Sequence, residues 1–233
     1  MPAGLQIFND DGAVIIDENY FNLVLRQKVV GNTIATEYVT GTGSKITLNY
    51  NGPSYPLIAW QCAEEIMMQG FTRSGTNFNF TMRCAGGAGT AYTLFVFGEP
   101  DPIADYGNFG LEVFNAAGQR VYHSGAKPAR IVDFRSVSGG IAARTNVAYT
   151  AGRQYATAMT RPATTNFPSP ASPGPPFPPP FYINTSFGGC RGYSGGVSTK
   201  GWLGARSGPY PGTTSFPTFS QTGNFLVLDV TNY

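Results

Sequence analysis

A nine-residue segment occurs twice in this chain, and that repetition limits the fold more than any other feature. Gly4-Leu5-Gln6-Ile7-Phe8-Asn9-Asp10-Asp11-Gly12 returns as Gly110-Leu111-Glu112-Val113-Phe114-Asn115-Ala116-Ala117-Gly118, with five positions identical and one exchanging Ile for Val. In each copy Leu and Ile or Val alternate with Gln or Glu, the period-two pattern of a half-buried strand. Asn-x-x-Gly follows: Asn tolerates left-handed geometry and caps a turn with its side chain, and Gly supplies positive φ where a Cβ would clash. Both copies then resume a strand, so the chain carries the same hairpin opening at residue 4 and at residue 110.

Composition extends this to the whole molecule. Of 233 residues, 30 are Gly and 18 are Pro, and 12% are charged, against about 25% in an average globular domain. Gly and Pro disfavour helix interiors, while Thr, Val, Tyr and Phe suit a pleated surface, so little helix is expected. The formal charge is +2, with Lys and Arg scattered; a phosphate-binding surface needs clustered cations, which excludes nucleic acid as a partner. With few charges, much of the surface is neutral or apolar, as it would be if neighbouring subunits covered it.

Each putative half also closes on an apolar strand, Tyr92 to Phe97 in the first and Phe225 to Val230 in the second. Gly98-Glu99-Pro100-Asp101-Pro102 lies between them as a stiff link. The expected architecture is therefore all-β, with two related β-sandwich-like domains and long Gly/Pro-rich loops. The domains span residues 1–100 and 101–233. Within the first, Ser44 to Tyr50, Pro56 to Trp60 and Asn77 to Arg83 read as strands, separated by Asn51-Gly52-Pro53 and by Gly70 to Gly75. Ala63 to Met68 has the composition for a short helical turn.

The second half holds an insertion at about 161–181, with nine prolines between Pro162 and Pro180. Proline lacks an N–H and fixes φ, so a loop partly in polyproline II geometry is expected, either a spacer or a docking arm anchored by Phe167 and Phe177. Phe187-Gly188-Gly189-Cys190-Arg191-Gly192-Tyr193-Ser194-Gly195-Gly196 reads as a tightly folded surface loop. It fails as a phosphate cradle, because no Gly-Lys-Ser/Thr follows it. Candidate partner-binding residues are Phe167, Phe177, Phe181, Tyr182, Tyr193 and Trp202; Trp202 with Tyr193 and Arg191 would make a stacking patch for sugar or protein.

Catalytic chemistry finds little support. His123 is the single histidine and reads as a solvent-edge strand residue. With no Cys-x-x-Cys or His-x-x-x-His, no metal site and no cofactor are expected. Glu64-Glu65, Asp10-Asp11 and Asp101 with Asp105 are acidic neighbours, but adjacent carboxylates on a regular element point apart and no acid–base pair stands out. Cys62, Cys84 and Cys190 are too few for a disulfide framework and read as buried thiols. The N-terminal residues lack a basic start and an apolar h-region, and no apolar run reaches membrane-spanning length, so neither a signal peptide nor a membrane span is expected.

The repeated Gly-Leu-x-Ile/Val-Phe-Asn-x-x-Gly at 4–12 and 110–118, with the apolar closing strand Asn224 to Tyr233, resembles small tail-tip or tail-fibre-associated proteins of tailed bacteriophages. The resemblance implies a structural, non-enzymatic component of the virion tail, made in the host cytoplasm. Its partners would be other phage tail proteins and further copies of itself, with a host surface receptor as an additional one. A receptor- or carbohydrate-binding module and a capsid decoration protein are the alternatives.

Overall fold

The computed structural model describes residues 6–8, 14–17, 22–35, 43–101, 110–170, 181–210 and 218–233. Among these are nineteen strands and no helix, so the chain is all-β. The N-terminal part contributes β1 (Gln6–Phe8), β2 (Val14–Asp17), β3 (Val24–Asn32), β4 (Ile34–Ala35), β5 (Ser44–Asn51), β6 (Leu57–Cys62), β7 (Ile66–Ser74), β8 (Asn77–Cys84) and β9 (Ala91–Gly98). There follow β10 (Glu112–Phe114), β11 (Arg120–His123), β12 (Ile131–Val137), β13 (Ala142–Ala148), β14 (Tyr155–Arg161) and β15 (Ala163–Pro170). The last four are β16 (Phe181–Tyr193), β17 (Gly196–Tyr210), β18 (Phe219–Gln221) and β19 (Gly223–Asp229).

The repeated sequence builds a repeated structure. Gln6 faces Asp17 and Ile7 faces Ile16; Glu112 faces His123 and Val113 faces Tyr122, so each pair recurs 106 positions on. Both hairpins break register at the same place, between Ile7 and Phe8 and between Val113 and Phe114. In the second copy Asn115 Oδ1 accepts the N–H groups of Ala117 and Gln119 at 3.0 and 2.9 Å, and Gly118 sits at φ 73°. That is the turn chemistry the sequence encodes. Asp10-Asp11 of the first copy lies outside the described residues. His123 departs from expectation: it is buried rather than at a solvent edge. Its Nδ1 accepts the Gly125 N–H at 2.8 Å, and its Nε2 lies 3.5 Å from Glu112 Oε1.

The other fifteen strands form one branched sheet with the path β12-β19-β14-β6-β16-β7-β8-β5-β4. β9 joins β6 and carries β3; β17 joins β16 and carries β13; β15 also joins β16 and carries β18. Alternation explains these strands: in β5 every second residue, from Ser44 to Tyr50, is buried. One apolar cluster unites Ile46, Phe80 and Met82 with Trp60 and Leu94, and with Phe187, Trp202, Phe225 and Val227. For one cluster to hold them all, the branches of the sheet must face each other. Trp60 also donates its indole N–H to the Cys190 carbonyl at 2.8 Å. A second cluster, with Ala59, Phe95, Phe97, Ala156, Ala158 and Leu228, uses the alternate residues of β6, β9, β14 and β19. These four strands are therefore buried on both faces. Fully burying one Phe side chain contributes roughly 1.5–3 kcal/mol.

Several expectations change here. A division near residue 100 was expected, yet β6 pairs with β9 and also meets β14 and β16, and the main cluster draws on both sides of that point. Pairing and packing thus tie the halves together instead of giving each its own core. Residues 163–170 are not a loop but β15, aligned with β16 from Ala163↔Gly188 to Pro170↔Phe181. Its second neighbour, β18, spans only Thr164 to Asn166, so Pro168 and Pro170 lie where pairing is one-sided and a missing N–H is tolerated. The Pro-rich residues 171–180 lie outside the described set. Ala63 to Met68 is not helical: a bend leads into β7 at Ile66. Gly70 is not a separator but sits at a bulge within β7.

The glycine-rich run at 187–196 is likewise not a surface loop. It forms the end of β16, a two-residue turn at Ser194-Gly195 with Gly195 at φ 80°, and the start of β17. The glycines are required by close backbone approach. A Cβ on Gly192 would lie 2.0 Å from the Tyr155 carbonyl oxygen, and one on Gly188 1.9 Å from that of Ser138.

Candidate functional site

Most of the described acidic residues beyond residue 60 are held in ion pairs. Glu65 is fully buried where the chain enters β7, and Arg144 of β13 grips it through Nε at 2.7 Å and Nη2 at 2.9 Å. Ser198 of β17 donates to it at 2.7 Å. Burial alone would raise the Glu65 pKa, but the hydrogen bonds from Arg144 and Ser198 outweigh it and hold the carboxyl below its usual range. Glu64 does not point away from Glu65 as a regular element would require. The bend at 63–64 lets it meet the same Arg144 at 2.6 Å, with Lys200 at 3.8 Å.

Asp229 is buried as well, 2.6 Å from Arg153 and 3.7 Å from Arg130. Burial again opposes its ionisation, and the bonds from Thr231 and Arg153 overcome this, so its pKa too is lowered. Asp101 pairs with Arg26 at 2.9 Å; Asp105 lies outside the described residues. A general acid at neutral pH needs a raised carboxyl pKa, and the buried Glu65 and Asp229 are pushed the other way. Among the described residues no group of three or more His, Cys, Asp or Glu is placed to hold a metal. The three thiols are free and buried, and burial pushes that of Cys190 up to about 12.

The aromatic candidates fall into separate places. Trp202 is buried, its ring 5.9 Å from that of Phe187, at the heart of the main cluster. Tyr193 lies at the Ser194-Gly195 turn with Arg191 5.4 Å from its ring. Phe187 pairs with Trp202 and Tyr193 with Gly196, which separates Tyr193 from Trp202 by about 20 Å of strand. No stacking patch of Trp202, Tyr193 and Arg191 forms. Phe181 and Tyr182 meet at the other end of this hairpin, where Phe181 is buried 5.7 Å from the Tyr210 ring and Arg206 lies 4.7 Å from that of Tyr182. Phe167 is half-buried on β15 opposite Asn184, and Phe177 lies outside the described residues.

A surface that sequence reasoning did not single out is β12. Among the described residues it pairs with β19 alone, and Ile131, Val132 and Phe134 are 53%, 48% and 59% exposed. The Phe134 N–H turns away from β19 and donates to Asp133 Oδ1 at 2.7 Å. Asp133 Oδ2 accepts from Arg135 Nε at 2.8 Å and from the Tyr149 hydroxyl. The hydroxyl bond from Tyr149 leads in lowering the Asp133 pKa. The signal was present as the run Ile131-Val132-Asp133-Phe134, but sequence does not give the order of strands in the sheet.

Two depressions lie on the described surface. A groove of about 470 Å³ on β5, β7 and β8 is lined by Lys45, Gln69, Thr72, Asn79, Thr81 and Arg83. An apolar pocket of about 300 Å³ lies among Leu23, Tyr55, Pro56, Leu57, Met68 and Met159. Fold and surface define an all-β protein with an open apolar sheet edge. The chain matches no family model, no curated protein and no solved structure, so its function is read from that surface.

Proposed function

We propose that this protein is a non-enzymatic structural component of a bacteriophage tail, at the tail tip, baseplate or fibre attachment, that acts by protein–protein assembly. The observation that carries the reading is β12, a sheet edge exposing Ile131, Val132 and Phe134. An unpaired, apolar edge is a template for another strand, and soluble proteins normally blunt such edges unless something covers them. The duplicated hairpin, which carries the likeness to tail-tip proteins, supports the same reading, as do acidic groups held in ion pairs. The test is negative-stain imaging of purified virions with a gold-labelled antibody against this chain. Label on the tail is expected; label confined to the capsid, or none on the particle, overturns it.

A second reading, a receptor- or carbohydrate-binding module, is favoured by the groove on β5, β7 and β8. Its amide and hydroxyl groups match the hydrogen-bonding pattern of sugar hydroxyls. On that reading the isolated protein binds host cells, and Asn79→Ala with Thr81→Ala removes the binding.

A further inference from the structure

We propose that β12 forms a twofold interface with a second copy of this chain, the two strands pairing antiparallel with Phe134 opposite its own counterpart. The inference rests on the assembly reading in that it names the partner, but it requires no particular location in a virion.

The geometry of β12 selects this register. In an antiparallel strand, successive residues direct their backbone groups to opposite sides. The Phe134 N–H points away from β19, and β12 runs in regular register with β19 from Asp133 to Val137, so Phe134 and Ser136 face the open side; the register shift between Ile131 and Asp133 ends that alternation. Outward residues must meet outward residues, which leaves only twofold registers centred on a residue. Centring on Asp133 would set that carboxylate against itself, and centring on Arg135 would oppose two guanidinium groups. Centring on Phe134 places Asp133 across from the second copy's Arg135, and Arg135 across from its Asp133.

Opposite charges directly across a strand pair stabilise it and like charges destabilise it. Asp133 and Arg135 already bond within one strand at 2.8 Å, so dimerisation closes four charges into a ring. Asp133 also covers the outward N–H of Phe134. In the pair this N–H transfers to the carbonyl of the opposite Phe134, and the carboxylate turns to the opposing Arg135. The exposed Phe134 rings, 59% accessible in the single chain, lie against each other on one face of the joined sheet. Seven residues of strand bury less than a standard interface of about 1,600 Å². The free chain therefore associates weakly, and a covalent trap is the appropriate assay.

The test uses the full chain with Phe134→Cys, treated with oxidised glutathione; the native cysteines Cys62, Cys84 and Cys190 are buried. Directly opposed residues in a hydrogen-bonded antiparallel pair have Cα atoms about 5.5 Å apart, within disulfide reach. Phe134→Cys is expected to give a covalent dimer at least tenfold faster than Ser136→Cys, which in this register lies two residues from the twofold centre and so away from its own counterpart. Adding Arg135→Asp should abolish trapping through Cys at 134, and Asp133→Arg with Arg135→Asp should restore it. Equal rates at 134 and 136, no dimer from Phe134→Cys, or trapping indifferent to Arg135→Asp would each overturn the interface. Trapping with label off the tail fails the tail reading alone; label on the tail without trapping fails this inference alone.

Discussion

β12 and β13 are both edge strands of one sheet, each paired on a single side among the described residues, and they meet solvent in opposite ways. β13 runs Ala142-Ala143-Arg144-Thr145-Asn146, small or polar along its exposed length, and Arg144 anchors it to buried Glu65. β12 presents Ile131, Val132 and Phe134 and carries an ion pair within the strand, Asp133 with Arg135. An edge with a charge tied inward and short side chains outward gives a second strand little apolar surface to cover. An edge with exposed β-branched and aromatic side chains offers one. The contrast teaches that the fold ties one border down through its own ion pair and leaves apolar side chains exposed along the other.

The largest effect that separates the two edges is expected from Glu65→Ala. It leaves Arg144 facing a buried site without its carboxylate, and removing one partner of a buried pair costs about 3–5 kcal/mol. Urea unfolding measures it, and a loss below about 1 kcal/mol would mean that β13 is not held by this contact. Gly201→Ala comes next. A Cβ there would lie 1.8 Å from the Gly140 carbonyl oxygen, in the turn that feeds β13, and overpacking of this kind costs about 1–3 kcal/mol. Hydrogen exchange should quicken along β13 and stay unchanged along β12.

Acid should weaken the β13 clamp in a defined window. Because the folded-state pKa of Glu65 is lowered, its contribution is complete above the unfolded glutamate value of about 4.3. It is lost as pH falls through the lower folded value. Wild type and Glu65→Gln should therefore differ in unfolding midpoint near neutrality and converge at the acid end of a pH series; a constant difference would refute the linkage. The smallest effect is expected from Phe134→Ser at dilute concentration. An exposed side chain whose partner lies on another molecule contributes within about 0.5 kcal/mol to the folded monomer. A clearly larger loss in urea unfolding would make β12 part of the core instead of a waiting edge.

Much of the fold is written in local pattern. The strands around Ser44 to Tyr50, Asn77 to Arg83, Tyr92 to Phe97 and Phe225 to Asp229 stand where alternation or an apolar run places them, because burial on one or both faces leaves a direct trace in residue order. The repeated hairpin is legible for the same reason, down to Asn115 capping its turn.

Glycine and proline mislead, because each has two uses. At Gly192 and Gly188 the absent side chain admits another backbone instead of allowing a turn, and Pro168 and Pro170 occupy one-sided strand positions. The surface was harder to read than the strands. Ile131-Val132-Asp133-Phe134 looks like any strand, and only the neighbour order shows that among the described residues it pairs on one side alone. Glu65 and Arg144, 79 positions apart, meet through topology that no local spacing encodes. Trp202 and Tyr193, close in sequence, are held apart by the hairpin that carries them.

That hairpin has a mechanical consequence. β16 and β17, 13 and 15 residues long, are aligned by twelve residue pairs from Phe181↔Tyr210 to Tyr193↔Gly196, a rod of about 40 Å. A pull along its length loads all those pairs in shear together, whereas a pull across it unzips them one at a time from an end. The molecule should therefore resist force strongly in one direction and yield in the other, with its stiff axis set by the orientation of a single pair of strands.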